Sequence, residues 1–226
     1  MSVRTDRLVL VPFVVGPLST NCYLLACPRA GSAAVIDPGI GSSEELSPIL
    51  SEARRLGLKI ELVLNTHGHP DHVAGDGPLK DLTGAKVLTH GQDAGLLREP
   101  PWRWLWPGLR PLEPDGLLED GDVIRLGELE LVVIHTPGHT RGSVCFYLER
   151  EGILLSGDTL FAGSIGRTDL PESSHEDMMA SLVRLMELPD EVRVYPGHGP
   201  PTTIGRERRK NPFVKMALKK IGSRQG

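Results

Sequence analysis

Along the first third of the chain the apolar positions change period, and each change marks an element. Residues 7–15 and 21–27 are short apolar runs bounded by turn-forming residues and predict two strands. Residues 8–18, with Arg4 and Arg7 before them, are apolar enough to suggest an export signal. Pro12 and Pro17 and the lack of a small-x-small cleavage pattern predict an edge strand instead. Ala33-Ala34-Val35-Ile36-Asp37-Pro38-Gly39 reads as a buried strand ending in a turn. Ser47 before Pro48 then offers a helix start, Ile49, Leu50, Ala53 and Leu56 one apolar face, and Gly57 a stop. The next strand, 60–65, is too apolar for an exposed sheet, and this β-α-β order predicts a sheet with helices packed on it.

A helix over 71–82, a strand over 86–89 and a helix near 93–98 follow. The period then fails: residues 99–115 carry five prolines and all three tryptophans, Trp102, Trp104 and Trp106. A loop of this length suits a lid, a wall over a site, or a contact between copies of the chain. Regular pattern returns as a hairpin, 123–126 and 129–135, turning at Gly127, and a second pair, 144–148 and 153–156. A helix at 175–186, a strand at 192–195 and a basic helical tail from about 204 to 226 close the chain. The elements recur as two similar halves with no linker between them, so one domain is expected over residues 1–226.

At 226 residues the chain is long enough to bury roughly three-quarters of its unfolded surface. A net charge of −4 gives no support to nucleic acid or an anionic membrane as partner. A small-molecule substrate and a monomer or homodimer are expected. The basic residues between 206 and 220 read as a solvated helix face, or as a patch for an anionic substrate tail. Cys22, Cys27 and Cys145 are an odd set in a chain too large to need disulfides, which predicts a reducing, cytoplasmic setting, and the apolar alternation around Cys22 and Cys145 predicts that those two are buried, inert thiols. No run approaches a transmembrane helix in length.

The strongest chemical signal is Thr66-His67-Gly68-His69-Pro70-Asp71-His72, directly after the strand at 60–65. Histidines two apart share a direction on an extended strand end but not on a helix. Asp71 and His72, at the mouth of the next helix, turn toward a neighbouring point. One segment thus offers imidazole and carboxylate donors to two centres, and zinc prefers such donors. Three later residues repeat the context of a ligand-type side chain after an apolar strand, bracketed by glycine: His139, Asp158 and His198. Together they fall at one end of a sheet, where open α/β folds place their sites. These seven donors suit two metal ions if Asp158 bridges. His90 and His175 read as helix-flanking residues, and His135 as a hydrogen-bonding partner of a ligand rather than a ligand.

Residues 66–72, Gly138-His139, Gly157-Asp158 and Gly197-His198, in that order and spacing, resemble the metallo-β-lactamase superfamily over nearly the whole chain. The resemblance implies an αββα sandwich of two similar halves. It implies a first metal site of His67, His69 and His139 and a second of Asp71, His72 and His198, bridged by Asp158. Two divalent ions are expected there, zinc first, with iron or manganese as alternatives. Residues 158–171, with Asn21-Cys22-Tyr23-Leu24, are similar to the glyoxalase II branch, thioesterases acting on hydroxyacylglutathione, and more closely to its short bacterial members.

Arg167 matches a basic residue that contacts glutathione in that branch. Asp169 and Pro200 replace two of its tyrosines, and its long helical extension is cut to the 28 residues after His198. The metal chemistry carries over better than glutathione recognition. The expected reaction is therefore attack of a metal-activated hydroxide on a thioester carbonyl, with Asp71 orienting the water and taking its proton. A thiolate leaves with little help, whereas an amide nitrogen needs an acid the motifs do not supply. Arg167 could hold a substrate carboxylate, or pair with Asp169. The alternative is a persulfide dioxygenase using one iron on two histidines and a carboxylate, a branch that shares Gly166-Arg167-Thr168-Asp169 but has cysteine where Ile165 stands.

Overall fold

The computed structural model describes residues 2–40, 42–101, 103, 106 and 109–222. The first half builds a seven-stranded sheet in chain order: β1 (Val3–Arg4), β2 (Val9–Val15), β3 (Thr20–Cys27), β4 (Ser32–Ile36), β5 (Lys59–Leu64), β6 (Lys86–His90) and β7 (Gly116–Leu118). Its first four strands pair antiparallel and its last four parallel. The second half contributes β8 (Val123–Leu126), β9 (Leu129–His135), β10 (Val144–Leu148), β11 (Ile153–Gly157), the small hairpin β12 (Leu160–Phe161) and β13 (Ser164–Ile165), β14 (Arg193–Pro196) and β15 (Thr202–Thr203). Six of these form the second sheet, in the order β15-β14-β11-β10-β9-β8, again an antiparallel run continued by a parallel pair, β11 with β14. The repetition anticipated from the pattern is thus present in the pairing.

Side chains that alternate across the strands fill three apolar layers. On β3, Cys22, Leu24 and Ala26 face helices α1 (Leu46–Arg55), α2 (Pro70–Val73), α3 (Asp76–Thr83) and α4 (Ala94–Arg98), while Tyr23, Leu25 and Cys27 face the other sheet. On β10, Val144, Phe146 and Leu148 point between the sheets, and Cys145 points toward α5 (His175–Leu185) and α7 (Pro212–Gly222). Between α5 and α7 in the chain stands α6 (Ile204–Lys210). The result is an αββα sandwich, as expected. Cys22, Cys27 and Cys145 are all buried and unpaired, and burial pushes the thiol of Cys145 up to about 11, which fits inert cysteines.

Four local expectations need correction. Strand β2 is not an edge strand, because β1 pairs with its first two residues; only its stretch beyond Leu10, where Pro12 sits, lacks a second neighbour. Helix α1 begins at Leu46, directly after a 3-10 turn at Ser43–Glu45, which puts Pro48 at the third helical position rather than the first; an N–H there would have no acceptor within the helix, so proline is tolerated. The helix expected over 71–82 is two helices, broken at Gly75, whose amide donates to the Pro38 carbonyl at 2.7 Å and whose Cα lies too close to that carbonyl for a side chain. The basic tail is likewise two helices, parted at Asn211, whose extended backbone precedes Pro212. Trp102 and Trp104 lie outside the described residues; Trp106 is buried. Among the described residues no helix is long and apolar enough to cross a membrane.

Phe146, fully buried at the centre of the layer between the sheets, is the test of that layer. Phe146→Ala should cost about 3–5 kcal/mol, read as a lower urea midpoint with unchanged m-value. A loss under about 1 kcal/mol would mean the sheets close over the gap.

Candidate metal centre

Each ligand-type residue picked out in the sequence sits just past a strand end on the same rim. β5 hands over to Asn65, Thr66 and His67, β9 to the turn holding His139, β11 to Asp158, and β14 to Gly197 and His198. His69 caps α2, whose first residue is Pro70, so the chain turns from strand to helix between the first histidine pair and Asp71-His72. The seven side chains converge. His67, His69 and His139 bring one donor atom each within 4.8 Å of one another, and so do Asp71, His72 and His198, and His67, His72 and Asp158.

The outer ring nitrogens fix which atoms face inward. His69 Nε2 meets Glu172 Oε1 at 2.6 Å, His72 Nδ1 meets Asp37 Oδ2 at 2.9 Å, and His139 Nδ1 meets the Arg167 carbonyl at 2.9 Å. Each contact fixes the ring's orientation and turns the other nitrogen toward the centre. His69 Nδ1 and His139 Nε2 face each other at 2.9 Å. His67 Nε2, His72 Nε2 and Asp158 Oδ1 are buried and make no hydrogen bond. Buried polar atoms without partners are rare and costly, and a divalent cation is the group that these atoms, grouped in this way, would satisfy.

The charge balance agrees. Burial, and the neighbouring His72 and His139, push His67 well below its ordinary range, which keeps it a neutral donor. Burial acts the same way on His72, but Asp71, Asp158 and Asp37 outweigh it and push this residue up to about 10. Burial would raise Asp71, yet His72 and His198 hold its carboxyl well below the usual range. The centre therefore favours positive charge in its middle, carried by protons on imidazole when nothing else carries it.

Three supporting residues escaped the sequence reading. Asp37 accepts from the Thr66 amide (2.8 Å), the Thr66 hydroxyl (2.6 Å) and His72. Asp93 accepts from the Gly68 amide (2.8 Å), the Thr140 hydroxyl (2.7 Å) and the Gly142 amide (2.7 Å), tying the two ligand loops together. Glu172 orients His69. Asp37 had a usable signal, an aspartate after an apolar strand and before Pro-Gly, but it read as a turn; Asp93 and Glu172 had none. Asn21 also gains a role, donating to the carbonyls of Pro196 (2.9 Å) and Gly199 (2.8 Å) and so bracketing His198. His135, expected beside a ligand, instead bonds the Arg141 carbonyl at 2.8 Å and stacks on His90, ring centres 4.2 Å apart. His175 opens α5, as anticipated.

The centre forms the floor of an open cavity of about 810 Å³. Arg167 lies on its wall, with its guanidinium gripped at 2.7 and 2.9 Å by Asp169. An αββα sandwich with a histidine-aspartate cluster of this kind at one sheet end is the framework of a class of metallohydrolases. A model of the metallo-beta-lactamase superfamily matches residues 15–198, and the chain belongs to that superfamily.

Hydroxyacylglutathione hydrolase GloC of Haemophilus influenzae is 36% identical over 86% of this chain and 92% of its own. The hydroxyacylglutathione hydrolase of Maricaulis maris is 40% identical over 78% of this chain but only 60% of its own. Among solved structures, the BLEG-1 B3 metallo-beta-lactamase superposes with a TM-score of 0.81 at 34% identity, covering 91% of this chain and 99% of that one. TTHA1623 in a di-iron-bound form gives 0.77 at 38%, covering 90% and 99%. ETHE1 from Myxococcus xanthus gives 0.77 at 29%, covering 92% and 89%.

Gly197 offers a direct test of the packing. A Cβ there would collide with Asp158 Oδ1 and crowd His72 Cε1. Gly197→Ala should weaken metal binding on the order of tenfold or more while leaving far-ultraviolet circular dichroism unchanged; a metal titration like that of the parent protein would show that the approach is not tight.

Proposed function

We propose that this protein is a zinc-dependent thioesterase of the glyoxalase II type, hydrolysing acyl thioesters of which hydroxyacylglutathione is one. The observation that carries the reading is the seven-residue cluster, with its inward-facing unpartnered atoms, on the floor of an open cavity. The donor set fits two divalent ions, with His67, His69 and His139 holding one, Asp71, His72 and His198 the other, and Asp158 shared. Bound there, they would supply Lewis-acid activation of water and of the acyl carbonyl.

In this reading Asp71 takes the proton. Its Oδ2 lies 3.2 Å from His198 Nε2 and 3.3 Å from the Thr20 hydroxyl, which fix its orientation in the first turn of α2. An ionised carboxylate there can hold the attacking water and take its proton. Apart from the ligands, the described residues of the cavity wall include no acid able to protonate an amine leaving group. A departing thiolate needs none, which favours thioesters over amides. The identity to GloC across most of both chains supports the same reading.

A second reading is a mononuclear iron dioxygenase acting on a persulfide; iron as the metal is supported by TTHA1623, 38% identical and solved in a di-iron-bound form, although two irons favour a binuclear centre over a mononuclear one. Emission spectroscopy and oxygen uptake separate the two. About one iron per chain with oxygen consumed on glutathione persulfide would replace the thioesterase reading.

Stripping metal with a chelator should abolish thioester hydrolysis, and zinc should restore it. Asp71→Ala should lower kcat by about 10²–10⁴-fold, with metal retained at the three-histidine site. Unchanged kcat and metal content in that variant would remove Asp71 from the chemistry.

A further inference from the structure

We infer that the cavity favours a thioester with an uncharged, apolar carrier over an anionic one such as glutathione, and that Asp169 keeps Arg167 from serving the anionic one. This deepens the thioesterase reading and rests on it. Apart from the metal ligands, the described residues of the wall are Pro17, Leu18, Pro70, Trp106, Phe161, Ile165 and Leu170, with one charged side chain among them, Arg167. Leu18, on the turn between β2 and β3, is 58% exposed, and Phe161, Ile165 and Leu170 are half-buried. Apolar side chains left partly open around a polar floor gain from covering by an apolar partner.

Glutathione would bring carboxylates and an ammonium against this wall, and each would lose water without a matching group. Among the described wall residues the one basic side chain available to them is already engaged. Arg167 presents both Nε and a terminal nitrogen to the two oxygens of Asp169, the same fork a substrate carboxylate would use. Both side chains are exposed, so the pair is a competitor for the guanidinium rather than a rigid lock. An anionic carrier must displace Asp169; a neutral one need not. Asp169 is thus a specificity-determining residue, acting through Arg167.

The test uses the zinc-loaded protein and ligands that share one alkyl or acyl chain and differ only in carrier, glutathione or N-acetylcysteamine. Binding of the non-hydrolysable alkyl thioethers is measured by calorimetry, and hydrolysis of the matching acyl thioesters by kcat and KM. The neutral thioether should bind about tenfold or more tightly than its glutathione counterpart. Asp169→Asn should raise kcat/KM for the glutathione thioester about two- to fivefold, through KM, and leave the neutral one unchanged. Ile165→Asp should weaken the neutral thioether only. Equal or tighter binding of the glutathione thioether, or an Asp169→Asn variant that shifts both carriers alike, would overturn the inference. Absence of hydrolysis of any thioester would defeat the thioesterase reading instead, while the binding comparison still decides the wall's preference.

Discussion

Everything at the metal centre depends on one buried carboxylate that does not itself face the cavity, Asp37. It sits just past β4 with its backbone in the left-handed region, φ 51°, a conformation that aspartate tolerates better than most residues. From there it takes the amide and hydroxyl of Thr66, just past β5, and Nδ1 of His72 in α2. Three segments that would otherwise fray at a sheet end are thereby fixed to one group. The cost of burying that carboxylate is offset by three donors. Without it His72 loses both its orientation and one of the negative charges that hold it in place.

Thr66 carries this constraint across to the other half. Its carbonyl accepts from the Val144 amide at 2.8 Å, and its side chain lies so close to Gly157 that a Cβ there could not fit. Gly157 in turn accepts from the Gly197 amide at 2.8 Å. The segments leading to Asp158 and His198 are therefore registered against the segment leading to His67. Asp93 does for Gly68, Thr140 and Gly142 what Asp37 does for Thr66 and His72. Asp93 bonds directly across to the second half and Asp37 reaches it through Thr66, while the ligands themselves come from both halves, so neither half alone contains a complete centre.

The pattern of the chain made the sandwich and the seven donors legible, because both depend on local order. An apolar strand followed at once by a ligand-type side chain in a glycine-containing turn is a short-range statement, and four such segments pointing to one rim reinforce each other. What stayed hidden depends on distant chain. Asp93 reads as an ordinary acidic residue until the 140s loop is folded against it, and Glu172 until His69 is. The break at Gly75 follows from the Pro38 carbonyl, more than thirty residues upstream, and propensity alone joins the two helices. His135 was misplaced for the converse reason: nearness in sequence to His139 suggested contact, but β9 turns its ring toward His90.

The same division bears on how such a framework changes substrate. The centre is fixed by buried hydrogen bonds that couple both sheets, so a change there disturbs metal and fold together. The wall is different. Leu18 lies on a hairpin turn, Trp106 in a proline-rich loop, and Arg167, Asp169 and Leu170 in the irregular stretch after β13. None of these five is a metal ligand, so exchanging one alters what meets the acyl chain and its carrier without loosening the donors beneath. Where the side chain is exposed, as at Leu18, Arg167 and Asp169, such an exchange costs little stability, whereas Trp106 is packed into the core. A superfamily that shares the floor can therefore diverge in the wall, and in this chain the choice of substrate rests on how apolar side chains and one engaged arginine surround a centre held elsewhere.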